Sequence, residues 1–218
     1  MTEPSHEADG GAITIRDALQ LADWRRQVGE LYVRVRSAAS PAEGWALWQR
    51  GRKRLFLEHD QSPLPTGMRT VDHLPRYFPY DPSFRILASV EAHPPERVEL
   101  PPSSGGSVPA QRVGMARFVV EGENCELAVY WLEEYSGGLF VSFRDTTSGA
   151  ETFGGGRYVI DSAKGADLGM ETGRLVLDFN FSYQPSCSYD ESWSCPLPPR
   201  DNWLRVAIRA GERLRSEA

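Results

Sequence analysis

Apolar residues recur at steps of three and four from Ile15 to Arg36. Leu21, Trp24, Val28, Leu31, Tyr32 and Val35 fall on one face of a helix at that spacing. Thr14 supplies an N-cap, and Asp17 puts negative charge in the first turn. A second helix opens at Ser40-Pro41-Ala42-Glu43, with Ser40 as cap, Pro41 at the first helical position and Glu43 closing a capping box. Trp45, Trp48, Leu55 and Phe56 form its stripe, which reads as core.

Prolines 63, 65, 75, 79 and 82 then punctuate residues 62–82. They remove backbone donors and fix φ, so this stretch reads as extended surface chain rather than sheet. Tyr77, Phe78 and Tyr80 between them predict that it packs down on something. Beyond Phe84 the period drops to two. Strands are predicted at Phe84–Val90, Arg112–Val120, Glu126–Glu134, Leu139–Phe143, Arg157–Asp161, Leu175–Tyr183 and Leu204–Arg209, separated by Gly-rich turns. The pattern defines an α+β protein, two N-terminal helices packed on a predominantly antiparallel, barrel-like β-sheet. Residues 13–218 form a single domain, helical over 13–60 and β-rich over 84–210, preceded by a disordered tail at 1–12.

A chain of 218 residues buries roughly 70% of its unfolded surface on folding and needs no disulfide or metal to do so. The net charge of −6 disfavours nucleic acid as a partner. No run approaches the ~20 apolar residues of a membrane helix, and residues 1–11 lack the apolar core of a secretory signal. The expectation is a cytoplasmic protein with no membrane partner. The three cysteines are an odd count, which argues against a structural disulfide in a reducing compartment.

Candidate chemistry concentrates after Phe140. Asp178 and Asn180 interrupt the strand Leu175–Tyr183, and both are poor strand formers. Either they line the barrel mouth and hold a ligand, or they satisfy buried backbone groups nearby. Arg144 and Arg157 carry planar forks suited to a carboxylate or phosphate, external or internal; the internal partners in view are Asp178 and Asp161. Gly154-Gly155-Gly156 runs into a strand rather than a helix, so it is no phosphate loop. It marks a tight bend or a place where a ligand meets bare amides. Cys187 and Cys195 match no common zinc spacing. They read as buried structural thiols, as a redox pair or disulfide, or, with two more ligands, as part of a metal site. His59 follows a helix C-terminus, where a structural role outweighs a catalytic one.

The segments FRDTTSGAETFGGGRY, LDFNFSYQPSCSY and CPLPPRDNWLRVAIRAGE together resemble DUF1684, a bacterial and archaeal family of unknown function. The resemblance implies that Gly154–Tyr158, Asp178–Asn180 and Cys187–Pro199 are family hallmarks. It implies no activity. Where relatives read Asn-Pro-Pro-Cys this chain has Gln184-Pro185-Ser186-Cys187, and where they have Thr-Tyr it has Thr152-Phe153, so a hydroxyl at 153 is not catalytic here.

These readings converge on a small anionic molecule bound at the mouth of the barrel. Arg144, Arg157, Tyr158, Asp178 and Asn180 would bind it, and residues 185–199 would form one wall. No cofactor and no metal is expected. The competing expectation is a hydrolase with Asp178 as general base and Cys187 or a metal-bound water as nucleophile. A third is a scaffold meeting a protein through residues 62–82.

Overall fold

The computed structural model describes residues 13–133 and 137–215. The predicted tail at 1–12 lies outside the described residues, as does the last residue of the strand predicted to end at Glu134.

Both helices form where their caps dictate. Helix α1 spans Ile15–Arg36, with Thr14 Oγ1 accepting from Asp17 N at 3.1 Å. Helix α2 spans Pro41–Glu58, with Ser40 Oγ accepting from Glu43 N at 3.3 Å. Leu31, Tyr32 and Val35 of α1 and Trp48, Leu55 and Phe56 of α2 are buried. The other half of the α1 stripe, Leu21, Trp24 and Val28, is only half-buried.

The strands are β1 (Arg76–Tyr77), β2 (Arg85–Leu100), β3 (Val108–Val120), β4 (Glu123–Leu132), β5 (Gly138–Phe143), β6 (Arg157–Asp161), β7 (Met170–Glu171), β8 (Arg174–Asp178) and β9 (Glu212–Arg213). Seven of them form one sheet in the order β6-β5-β4-β3-β2-β8-β7, and its neighbours pair antiparallel. The sheet curls strongly. Tyr158 of β6 exchanges backbone hydrogen bonds of 2.9 and 3.0 Å with Tyr183, just beyond β8, so one edge of the sheet approaches the other. The result is a half-barrel with α1 and α2 packed on it, the α+β arrangement expected. Strands β1 and β9 make a separate two-stranded ribbon.

Two buried clusters result. One, with Phe84, Phe118, Phe143, Leu177, Phe179 and Ile208, joins the sheet to the 3₁₀ turn after β8 and to residues 204–210. The other, with Leu31, Tyr32, Trp48, Tyr130, Phe140, Tyr158 and Phe181, joins the helices to the sheet. Among the described residues no helix is long and apolar enough to cross a membrane.

Several predicted boundaries shift, each for a visible reason. Strand β2 runs on to Leu100, through a change of register between Ala92 and Glu96, where Pro94 and Pro95 have no N–H to give the ladder. The strand predicted to Tyr183 stops at Asp178. The Asp178 carboxylate accepts from Asn180 N at 3.0 Å and starts a 3₁₀ turn at Phe179–Phe181. Residues 204–209 form no regular strand. Their alternation records burial of Leu204 and Ile208, but their backbone pairs with a loop. Leu204 N donates to Arg144 O and Thr146 N to Val206 O, while Ile208 N donates to the Asp145 carboxylate at 2.6 Å.

The proline-rich stretch holds two 3₁₀ turns, Thr66–Met68 and Val71–His73, and then β1. Its aromatics turn inward: Tyr77 meets Trp48 edge-on at 5.6 Å, and Phe78 is buried. The exposed aromatic face a protein-binding scaffold would present there is not formed.

Candidate functional site

A cavity of about 280 Å³ lies between the helix pair and the half-barrel. Leu21, Trp24, Val28 and Leu31 of α1 form one wall. Trp48, Arg52 and Phe56 of α2 form a second, and Tyr158, Tyr183–Ser186 and Trp193–Cys195 form a third. The incomplete burial of the α1 stripe is thereby explained, since its N-terminal half overhangs this space.

Each polar group on the cavity has a definite state. Arg52 is held by Glu212, 2.6 Å from both Nε and Nη2, and Glu212 is fully buried. Burial opposes the guanidinium charge and Glu212 more than restores it. The arginine also lies 4.8 to 5.2 Å from the rings of Tyr183, Phe56 and Trp48, a cation–π enclosure. Glu212 Oε2 accepts from Gln184 N at 2.8 Å and from Tyr189 Oη at 3.0 Å. Lys164 pairs with Asp161 at 3.1 Å but keeps nearly half of its side chain exposed. Arg25 stands exposed at the rim, close enough to Lys164 to repel its charge. Gln184 is buried, and its Oε1 makes no hydrogen bond among the described residues.

The five residues expected to share one ligand do not meet in this cavity; Tyr158 alone lines it. Its hydroxyl donates to Pro196 O at 2.6 Å. Arg157 is buried in the framework, donating to the carbonyls of Ala210, Ile208 and Glu212. Burial lowers its pKa to about 10, opposed by Asp145. Its carboxylate partner is Asp145, at 3.5 Å, rather than Asp178 or Asp161. Arg144 stacks 4.2 Å from the centre of the Trp203 ring. Asn180 braces the backbone of residue 81, donating to Asp81 O at 2.8 Å and accepting from Asp81 N at 2.9 Å. The triple glycine is a tight bend. A Cβ on Gly156, at φ +91°, would sit 2.6 Å from Phe143 O.

Asp178 borders a different crevice, of about 470 Å³, with Arg85, Val35 and Phe181. Its Oδ2 has no hydrogen-bond partner among the described residues, and the Arg85 Nε lies 3.8 Å away. Burial raises its pKa to about 6 against the hydrogen bonds from Asn180. That crevice contains no cysteine or histidine, so the thiol the hydrolase reading needs is not beside this base. Among the described residues no three His, Cys, Asp or Glu side chains gather as a metal site would require.

His59 borders an open crevice of about 520 Å³ between α1 and α2. Its Nε2 faces Asp23 Oδ2 at 3.1 Å, and its Nδ1 accepts from Gln61 N at 3.0 Å. One ring nitrogen ties the end of α2 to Asp23 in the middle of α1 and the other holds the turn that follows, which fits a structural role.

Cys187 and Cys195 come together. Cys187 N donates to Cys195 Sγ at 3.4 Å. Arg52, Lys164, Gln184 and Glu212 were not picked out from the sequence as site residues. A lone arginine in an amphipathic helix, and a glutamate near the C-terminus, carry no local signal of a meeting.

Fold and cavity together define a curled half-barrel whose helical layer encloses a small internal space. The chain belongs to the family described as Protein of unknown function (DUF1684), whose sequence profile matches residues 73–213. It is also similar to the solution NMR structure of an uncharacterized protein from Haloarcula marismortui. The two share 37% identity over 81% of this chain and 97% of that one, with a TM-score of 0.57. A search of curated proteins finds no match.

Proposed function

We propose that the protein binds a small organic anion with an apolar body in the cavity between its helices and its half-barrel. The observation that carries this reading is the pairing of an apolar enclosure with polar groups left unspent. Arg52 is neutralised by Glu212 and Lys164 by Asp161. Arg25 remains as the cation without an ion pair among the described residues, and it shares the rim with Lys164. One excess positive charge suits a monoanion, and the buried Gln184 Oε1 suits a donor on the ligand body. A space of about 280 Å³ is too small for a dinucleotide and fits a compact carboxylate, with phosphate monoesters, mostly dianions at neutral pH, as the weaker match. This reading puts the site at the helix–sheet interface rather than at the barrel mouth expected from the sequence.

The test is a panel of aromatic and aliphatic carboxylates and phosphate monoesters, read by Tm and by fluorescence, since Trp24, Trp48 and Trp193 line the cavity. A ligand at a hundredfold its Kd stabilises by about 2.7 kcal/mol. Val28→Trp should fill the space and abolish the shift. Arg25→Gln should weaken the acid but not its neutral amide, and Arg144→Ala should bind as the parent does. No response across the panel would sink the reading.

A further inference from the structure

Residues 193–197 are clasped to the β2–β3 connection. Ser103 N donates to Cys195 O at 2.9 Å and Leu197 N to Pro101 O at 2.7 Å. The Ser103 hydroxyl accepts from Cys195 N at 3.1 Å and donates to Trp193 O at 3.1 Å. This clasp fixes Cys195 on the wall of the cavity, where Lys164 also lies. Cys187 sits on a 3₁₀ turn, Ser186–Ser188. It presents its N–H to the Cys195 sulfur at 3.4 Å.

Donors and a nearby cation favour a thiolate over a thiol. We propose that Cys195 and Cys187 form a peroxide-reactive thiol pair, with Cys195 as the nucleophile on the cavity wall and Cys187 as the resolving thiol. The titration tendencies agree with this division. The neighbouring Cys187 side chain, its N–H and the Lys164 charge lower Cys195. The neighbouring Cys195 side chain and burial raise Cys187. Cys125, half-buried on β4, is raised by burial and by Glu123.

In the first step the Cys195 thiolate attacks one oxygen of hydrogen peroxide. The O–O bond breaks, leaving a sulfenic acid on Cys195 and hydroxide, which takes up a proton and leaves as water. In the second step the Cys187 sulfur attacks the Cys195 sulfur. The S–O bond breaks, and the departing hydroxide carries off the Cys187 proton as a second water. The two thiols lose two electrons, peroxide gains them, and a Cys187–Cys195 disulfide closes beside the cavity.

The experiment uses reduced full-length protein without ligand, so its outcome is independent of whether any acid binds in the cavity. A short iodoacetamide pulse at pH 7, followed by peptide mass mapping, should label Cys195 at least tenfold faster than Cys125. One equivalent of peroxide should produce the intramolecular 187–195 linkage, reversible by dithiothreitol. Cys187→Ser should instead accumulate a dimedone-reactive sulfenic acid at Cys195. Lys164→Met should move the pH profile of Cys195 alkylation upward. If native Cys195 reacts no faster than Cys125, or peroxide gives no 187–195 linkage in the unmutated chain, the proposal is overturned.

Discussion

Arg52 of α2 and Glu212 of β9, 160 positions apart in the chain, are joined by an ion pair of 2.6 Å in which the carboxylate is fully buried. Breaking a buried pair from one side leaves an uncompensated charge, which costs about 3–5 kcal/mol. Arg52→Met should therefore lower Tm by roughly 6–20 °C for a chain of this size. Glu212→Leu should do no better, because it also orphans Gln184 N and the Tyr189 hydroxyl. Thermal unfolding of the two variants checks both statements.

Asp178 makes stability depend on pH in an unusual direction. Its folded pKa is raised to about 6 from the ordinary 3.8, so the folded state holds the proton more tightly than the unfolded chain does. Its contribution is therefore a penalty at neutral pH. That penalty shrinks as pH falls through 6 and is gone below about 4. The rise from 3.8 to about 6 corresponds to roughly 3 kcal/mol. Asp178→Asn, which keeps an acceptor for Asn180 N, should be stabilised relative to the parent at pH 7.5 and indistinguishable from it near pH 4. Paired denaturant titrations at the two pH values measure this. A gain that persists at pH 4 would assign it to something other than the charge.

Asn202 is fully buried between two strands that diverge. Strands β4 and β5 pair only from Tyr130–Leu132 to Gly138–Phe140. Further along, the Asn202 amide replaces the missing ladder, accepting from Ala128 N at 2.7 Å and donating to Ala128 O and Ser142 O. Asn202→Leu leaves three buried backbone groups without partners. It should cost about 3 kcal/mol or more, visible as a fall in the denaturant midpoint without a change of slope.

The triple glycine should split under alanine scanning. A Cβ on Gly154 meets nothing closer than 3.7 Å, whereas at Gly156 the positive φ and the Phe143 carbonyl both forbid one. Gly154→Ala should be near neutral, while Gly156→Ala should lose about 2–3 kcal/mol. Equal losses at both positions would contradict the bend described here.

Local signals and distant ones differ in how far they could be read from the chain. Both helices were legible because caps and a 3.6-residue period act within a few residues. The half-barrel was legible as a class because the period of two persists from Phe84. Residues 204–209 carry the same alternation, but their backbone partners are a loop at 144–146 and an aspartate side chain, and burial alone mimics a strand. The cavity was illegible for the same reason. Leu21, Trp24 and Val28 look like any core stripe, and nothing in their spacing says that the chain facing them stops short. The Asp178–Asn180 pair was recognisable as unusual, yet the sequence left open whether it served a ligand or the backbone of residue 81.

The Tyr158–Tyr183 bridge brings the half-barrel near to closure, and α1 and α2 occupy the side that no strand covers. The space between them is therefore walled on one side by helices, and α1 meets it through the side chains of Leu21, Trp24, Val28 and Leu31 rather than through shared backbone bonds. A guest settling in the space packs against Leu21, Trp24 and Val28 of α1, so its arrival should be felt first in the amide exchange of that helix while the strands stay unchanged.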